Sequence, residues 1–143
     1  MKKKISVDAG VYVLFCVYLL LLGPAWGFAI ATAAMIHEMG HLLLLWSLDY
    51  RIWSIRVSCG GIRIDTEYLS GAKGVLIALA GPACGLVLLF FWRWIPKISF
   101  CGLVQSLFNL LPLYPLDGGR ALRCWREQKA VAKYREKGYN ESD

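Results

Sequence analysis

The chain has 143 residues, of which 57% are hydrophobic and only 18% charged, with a net charge of +6. A soluble domain of this size stays nearer half apolar. Here the excess gathers into runs of spanning length, so the composition argues against a water-soluble domain and for a polytopic membrane protein. The basic residues stand mostly at the two ends, which reads as cytoplasmic flanks meeting anionic lipid and not as a nucleic-acid surface.

The first apolar run covers about 7–22, behind "MKKK". No small-x-small cleavage site stands out after it and a second apolar run follows at once, so it is expected to stay as a first span. "GP" at Gly23 and Pro24 breaks it in a tight connection. The second run, 25–48, is long enough to cross with some tilt. The third covers about 72–94 and the fourth about 98–116, joined by "RWIPK", whose tryptophan and basic residues suit an interface.

Between the second and third spans, 49–71 changes period. Ile52, Ser54, Arg56 and Ser58 alternate with Trp53, Ile55 and Val57, "CGG" makes a turn, and "IRID" alternates again. A short membrane-associated β-hairpin is expected there. The predicted fold is therefore all-α and polytopic, with about four transmembrane helices and that hairpin. Residues 1–120 form the core and 121–143 a basic cytoplasmic tail, a surface helix or a solvated segment. Four spans put both termini on the cytoplasmic side, together with the hairpin loop. The five cysteines, at 16, 59, 84, 101 and 124, show no CxxC spacing, which argues against a disulfide framework or a cysteine zinc site.

Inside the second span lies "HEMGH". An ionisable side chain in a span costs several kcal/mol unless paired or metal-bound. His37 and His41 are four residues apart and share one helix face, so two imidazoles can hold one zinc ion, with Glu38 placed as general base toward a water there. Gly40 removes a side chain beside them and admits another backbone. The competing reading is a pair of interior histidines hydrogen-bonded across the bundle. A catalytic zinc needs a third protein ligand. Asp49, Asp65 and Glu67 in the loop are candidates, and so is Asp117 in "NLLPLYPLDGGR". Pro112 and Pro115 stop the fourth helix after about 22 Å from Ile98, short of the roughly 30 Å hydrocarbon core. Asp117 would then lie on irregular backbone at membrane depth, although an Asp-Gly pair also suits an ordinary turn.

"HEMGH", "AGPACG" and "NLLPLYPLDGGR" together resemble the site-2 protease family of intramembrane zinc metallopeptidases, over about 29–120. The compact form is most similar to the bacterial branch that includes the sporulation-factor processing protease. The resemblance implies one zinc ion held by His37, His41 and Asp117. It implies that Glu38 activates water and that Asn109 stabilises the oxyanion, against the alternative of a helix–helix hydrogen bond for Asn109. Gly60 and Gly61 would match the family's hairpin, whose edge takes an extended substrate strand. It implies hydrolysis of membrane-embedded or membrane-anchored proteins, in the bacterial cell membrane. One departure is Gly85, where the family's G-P-x-x-N pattern has asparagine. PDZ and CBS modules of larger relatives are not expected, and the chain reads as the catalytic core with one added N-terminal span.

Two other function classes stand beside this one. A non-catalytic zinc-binding scaffold would be expected to lose Glu38 or a ligand. A zinc protease of another lineage would take a glutamate from a later span, and those spans have none. The partners expected are a membrane protein substrate and the bilayer, without nucleic acid. A homo-oligomer or a regulatory membrane partner stays open for so small a core.

Overall fold

A computed structural model describes residues 4–58 and 61–140. In chain order it forms β1 (Lys4–Val7), α1 (Ala9–Leu22), α2 (Pro24–Ser47), β2 (Ile52–Ser58) and β3 (Gly61–Thr66). Then come α3 (Gly71–Val87), a 3-10 turn (Leu88–Phe91), α4 (Pro96–Asn109) and α5 (Asp117–Asn140).

Gly23 separates α1 from α2 with φ +81°, a conformation that suits glycine, and Pro24 opens α2 where no amide donor is needed. The buried residues of α2 are Gly27, Ala29, Ala33, His37, Gly40, His41 and Leu45. They recur every three or four residues, so one stripe faces inward. Most are small, which lets neighbouring helices come close, as packing in lipid favours. A Cβ at Gly40 would lie 2.5 Å from the Ala80 carbonyl oxygen of α3, so Gly40 does admit another backbone. Farther along, Gly85 of α3 and Gly102 of α4 face each other, and a Cβ at Gly102 would lie 2.9 Å from the Gly85 carbonyl.

Two helices are long and apolar enough to cross a membrane: α2, and α3 with its 3-10 turn (Gly71–Phe91). Of the roughly four spans expected from the sequence, these two reach full spanning length among the described residues. α1 and α4 have 14 residues each, about 21 Å of helix, shorter than a hydrocarbon core. α1 begins at Ala9 instead of 7, and α4 ends at Asn109, before Pro112, so the expected fourth span of 98–116 is shorter at its far end.

The hairpin forms where alternation placed it. β2 and β3 pair antiparallel, with Ile55 opposite Ile64 and Val57 opposite Ile62. Ile64 is buried against Leu45 of α2 and Ile77 of α3. On the other face Arg56 pairs with Asp65 at 3.1 Å, and the Ser54 hydroxyl donates to the same carboxylate. The sheet has a third strand that was not expected. β1 pairs parallel to β2, from Lys4 opposite Ser54 to Val7 opposite Val57. A four-residue segment carries no readable period, and it becomes a strand only by pairing with backbone about fifty residues away.

The boundary placed at 120 falls inside α5. The first turns of that helix pack on α3, with Ala121 and Cys124 buried. The Cys124 thiol donates to the Leu69 carbonyl at 3.3 Å, and a Cβ at Gly74 would lie 2.7 Å from the Cys124 sulfur. Beside this contact the Glu127 carboxylate holds the exposed Tyr68 phenol above its ordinary range. α5 is thus anchored to the segment that leads out of the hairpin.

Candidate metal centre

Two elements distant in sequence meet at one point. His37 and His41 project from successive turns of α2, and Asp117 from the first turn of α5. All three are buried, at 2%, 5% and 6% exposure. Asp117 Oδ2 lies 3.0 Å from His37 Nε2 and 3.2 Å from His41 Nε2. These three ligand atoms form a group that could hold a metal ion, all within 4.8 Å of one another.

The local folding of "PLDGG" positions Asp117. After α4 the chain doubles back through 110–116, with a cis bond at Tyr114–Pro115. The returning backbone lies against the two glycines. A Cβ at Gly118 would be 2.6 Å from the Leu111 carbonyl oxygen, and one at Gly119 would be 2.6 Å from the Leu113 carbonyl oxygen. Any larger residue would push the start of α5 away. The helix N-terminus also favours a carboxylate there, because its free amides carry partial positive charge. From Asp117 to Cys124, α5 runs antiparallel to α3. The seven residues, about 10 Å, match the seven from Gly81 back to Gly74.

Gly81 completes the cradle. A Cβ built there would stand 2.7 Å from His37 Nε2 and closer still to His41 Nε2. The wall facing the two nitrogens is therefore bare backbone. The motif "AGPACG" held this glycine, but no reading of the sequence gave it a role. The signal was a glycine beside a proline inside an apolar span, and its meaning needed the neighbouring helix.

The hydrogen bonds test whether the donors fit a metal. His41 Nδ1 lies 2.8 Å from the Ile77 carbonyl. That carbonyl only accepts, so Nδ1 carries the proton, and in a neutral imidazole Nε2 presents its lone pair. This lone pair faces a carboxylate oxygen at 3.2 Å. Two acceptors so close repel each other unless a cation stands with them or the ring takes a second proton. Ligating histidines commonly show this arrangement, the far nitrogen held by a carbonyl and the near one free. For zinc with bonds of about 2.0–2.1 Å in a tetrahedron, ligand atoms stand about 3.3–3.4 Å apart. The observed 3.0 and 3.2 Å need to open by only a few tenths of an ångström, and the third separation, between the imidazoles, is at most 4.8 Å. The donor types and their two contacts with the carboxylate fit zinc. His37 Nδ1 is buried without a hydrogen-bond partner among the described residues.

Glu38 follows His37 on α2, is half-buried, and lies within electrostatic reach of His37, His41 and Asp117. Asn109 ends α4, half-buried, and its amide forms no hydrogen bond with another described residue. The helix–helix hydrogen bond that competed for it is absent among the described residues. The rival ligands lie elsewhere. Asp49 lies just beyond α2 with φ +58°, Asp65 is engaged by Ser54 and Arg56, and Glu67 stands 3.9 Å from Arg51. Gly61 opens β3 opposite Ser58. It is three residues, roughly 10 Å along a strand, from Ile64, and the structure does not bring it to the cluster. Gly60 lies outside the described residues. Gly85, the departure from the family pattern, is filled in from α4: a Cβ there would collide with the Ser106 hydroxyl, which is itself buried and unpartnered among the described residues.

No protein-family model matches the chain. The chain is 30% identical over 123 residues to the "putative zinc metalloprotease sll0528" of Synechocystis sp.; the match takes in 71% of this chain and 32% of that protein. It thus spans about a third of the relative's length. Among solved structures it is similar to the site-2 protease of Methanocaldococcus jannaschii, with a TM-score of 0.68, 22% identity, and coverage of 86% of this chain and 68% of the other. Fold and sequence agree with the resemblance that the three motifs carry.

Proposed function

We propose that this chain, which has the site-2 protease fold and resembles that family, is a zinc metalloprotease that cleaves membrane-embedded or membrane-anchored proteins within the bilayer. The observation that carries this reading is the buried His37–His41–Asp117 cluster, with both histidines on a helix of membrane-spanning length. One zinc ion held by these residues would supply a Lewis acid that polarises the scissile carbonyl and lowers the pKa of water. Glu38 is the general base: it takes the proton of the attacking water and passes it to the leaving amine. The unengaged amide of Asn109 donates to the oxygen on which negative charge develops.

The sheet gives the substrate a place to lie. A peptide bond in a helix is shielded and must be extended before attack. β2 is central, with β1 on one side and β3 on the other, so the outer edge of β3 is open to an extended substrate segment. That strand rests on Leu45, one turn beyond His41. Gly61, which opens β3, then guides the segment, and the sequence motif extends that role to Gly60.

Four spans, α1 to α4, place both termini on the cytoplasmic face of a bacterial cell membrane. Two contacts support this topology. β1 precedes α1 yet joins the sheet that lies between α2 and α3. α5 follows α4 yet touches Leu69, between that sheet and α3. β1 and the first turns of α5 thus both lie on the hairpin's side. A non-catalytic scaffold has no observation in its favour, since Glu38 stands beside the His37–His41–Asp117 cluster.

The test uses the purified full chain in detergent, with zinc per chain and cleavage of a tethered membrane substrate measured in parallel. Glu38→Gln is expected to retain zinc and to lose cleavage by at least roughly 10²-fold. Full cleavage by that variant would sink the assignment.

A further inference from the structure

Asp117 has two carboxylate oxygens, and only one faces the histidines. Oδ2 lies between the two Nε2 atoms, while Oδ1 lies 3.6 Å from the Arg120 guanidinium. At that distance the contact is an ion pair and not a hydrogen bond. Among the described residues Arg120 is the one side chain that engages Oδ1. We propose that Arg120 is a positioning residue of the metal centre: its guanidinium holds the outer oxygen of Asp117, so that the carboxylate presents its inner oxygen alone to the ion.

The helix geometry makes this pairing dependable. The Arg120 backbone amide donates to the Leu116 carbonyl at 3.0 Å and closes the first turn of α5. Asp117 and Arg120 are three residues apart, on one face of that turn. The backbone of Asp117 is fixed by Gly118 and Gly119 under the returning loop, but those contacts leave the side-chain torsions free. A carboxylate free to rotate can offer a metal one oxygen or both, and Arg120 opposes the second choice. The guanidinium is partly open to solvent, with 36% of its side chain exposed, whereas the Asp117 side chain is only 8% exposed. The buried partner is what separates this pair from an ordinary surface ion pair. The same guanidinium lies within electrostatic reach of Glu38. Arginine suits the task better than lysine, because its planar fork holds an orientation where an ammonium supplies a point charge.

This inference rests on Asp117 being a zinc ligand, and the experiment separates the two. The full chain, Arg120→Ala, Arg120→Lys, Asp117→Ala and a control, Arg126→Ala, are purified in detergent and checked for helix content by circular dichroism. Arg126 is exposed on α5. Zinc affinity is read by competition with a chelating dye, and ligand geometry by the visible absorption of the cobalt-substituted protein. Loss of a partner behind a metal ligand typically weakens binding by about 10–100-fold, and that loss is expected for Arg120→Ala. Its cobalt absorption is expected to weaken as the carboxylate turns to use both oxygens and the coordination number rises above four. Arg120→Lys should recover part of the affinity, and Arg126→Ala should match the parent. Affinity within twofold of the parent and an unchanged cobalt spectrum in Arg120→Ala overturn the proposal. If that variant fails to fold, Arg120→Lys decides, and parent-like affinity and spectrum there overturn it equally. Zinc lost in Asp117→Ala but kept in Arg120→Ala refutes the role of Arg120 alone. Zinc kept in Asp117→Ala removes the ligand and the proposal with it.

Discussion

Gly81→Ala is the sharpest test of the cradle. The methyl group would stand 2.7 Å from both His37 Nε2 and His41 Cε1, where ordinary contacts lie at 3.4–4 Å. The rings must therefore move by at least about 0.7 Å, and His41 by more because its Nε2 would lie closer still, against a tolerance near 0.2 Å for a ligand around its metal. Separating α2 from α3 instead would undo the close approach of Gly40 to the Ala80 carbonyl. Overpacking of this kind costs about 1–3 kcal/mol, and disturbing the groups that hold a metal's ligands weakens binding by about 10–100-fold. Gly81→Ala should thus melt earlier in detergent and lose about 10–100-fold in zinc affinity, read as zinc per chain after dialysis against graded chelator. Gly85→Ala is the matched comparison. Its methyl meets chiefly the hydroxyl of Ser106, which can turn aside, and zinc affinity should stay near the parent. A Gly81→Ala protein that binds zinc like the parent would refute the placement of this glycine against the ligand nitrogens.

Three further outcomes follow from the same geometry. Gly118→Ala drives a methyl into backbone at Leu110 and Leu111 that has no rotamer to yield; it should displace Asp117 and weaken zinc by about 10-fold or more, and undiminished zinc in the dialysed protein would count against the loop as the positioning device. Asn109→Ala should lower kcat by about 10²–10³-fold with KM and zinc unchanged; a rise in KM alone would make Asn109 a binding residue instead. Ile64→Ala empties the contact between β3 and the helix pair and should cost about 2 kcal/mol or more, seen as a lower melting temperature and faster amide exchange in the hairpin. Unchanged exchange would mean that the sheet is held elsewhere.

Much of the fold is periodic and therefore legible. The long apolar runs give α2 and α3, the alternation across 52–66 gives the hairpin, and Gly23–Pro24 marks the turn between α1 and α2. "HEMGH" fixes two imidazoles on one face at a spacing that no side-chain packing can alter, because the helix repeat sets it. The sequence alone therefore determines two-thirds of a candidate metal site and the kind of chemistry it suits.

The rest depends on contacts between segments far apart in the chain. β1 has no pattern of its own and exists through its ladder with β2. Asp117 competes in sequence with Asp49, Asp65 and Glu67, and only the antiparallel run of α5 along α3 brings its carboxylate to the histidines. The basic pattern of 121–143 suits a surface helix, yet nothing local reveals that Ala121 and Cys124 are buried on α3. Gly81 looks like any glycine in an apolar span until α2 lies against it. A side chain's spacing is written in its own helix, whereas the candidate third ligand, the bare wall and the partner of the carboxylate arise where three helices close on one another.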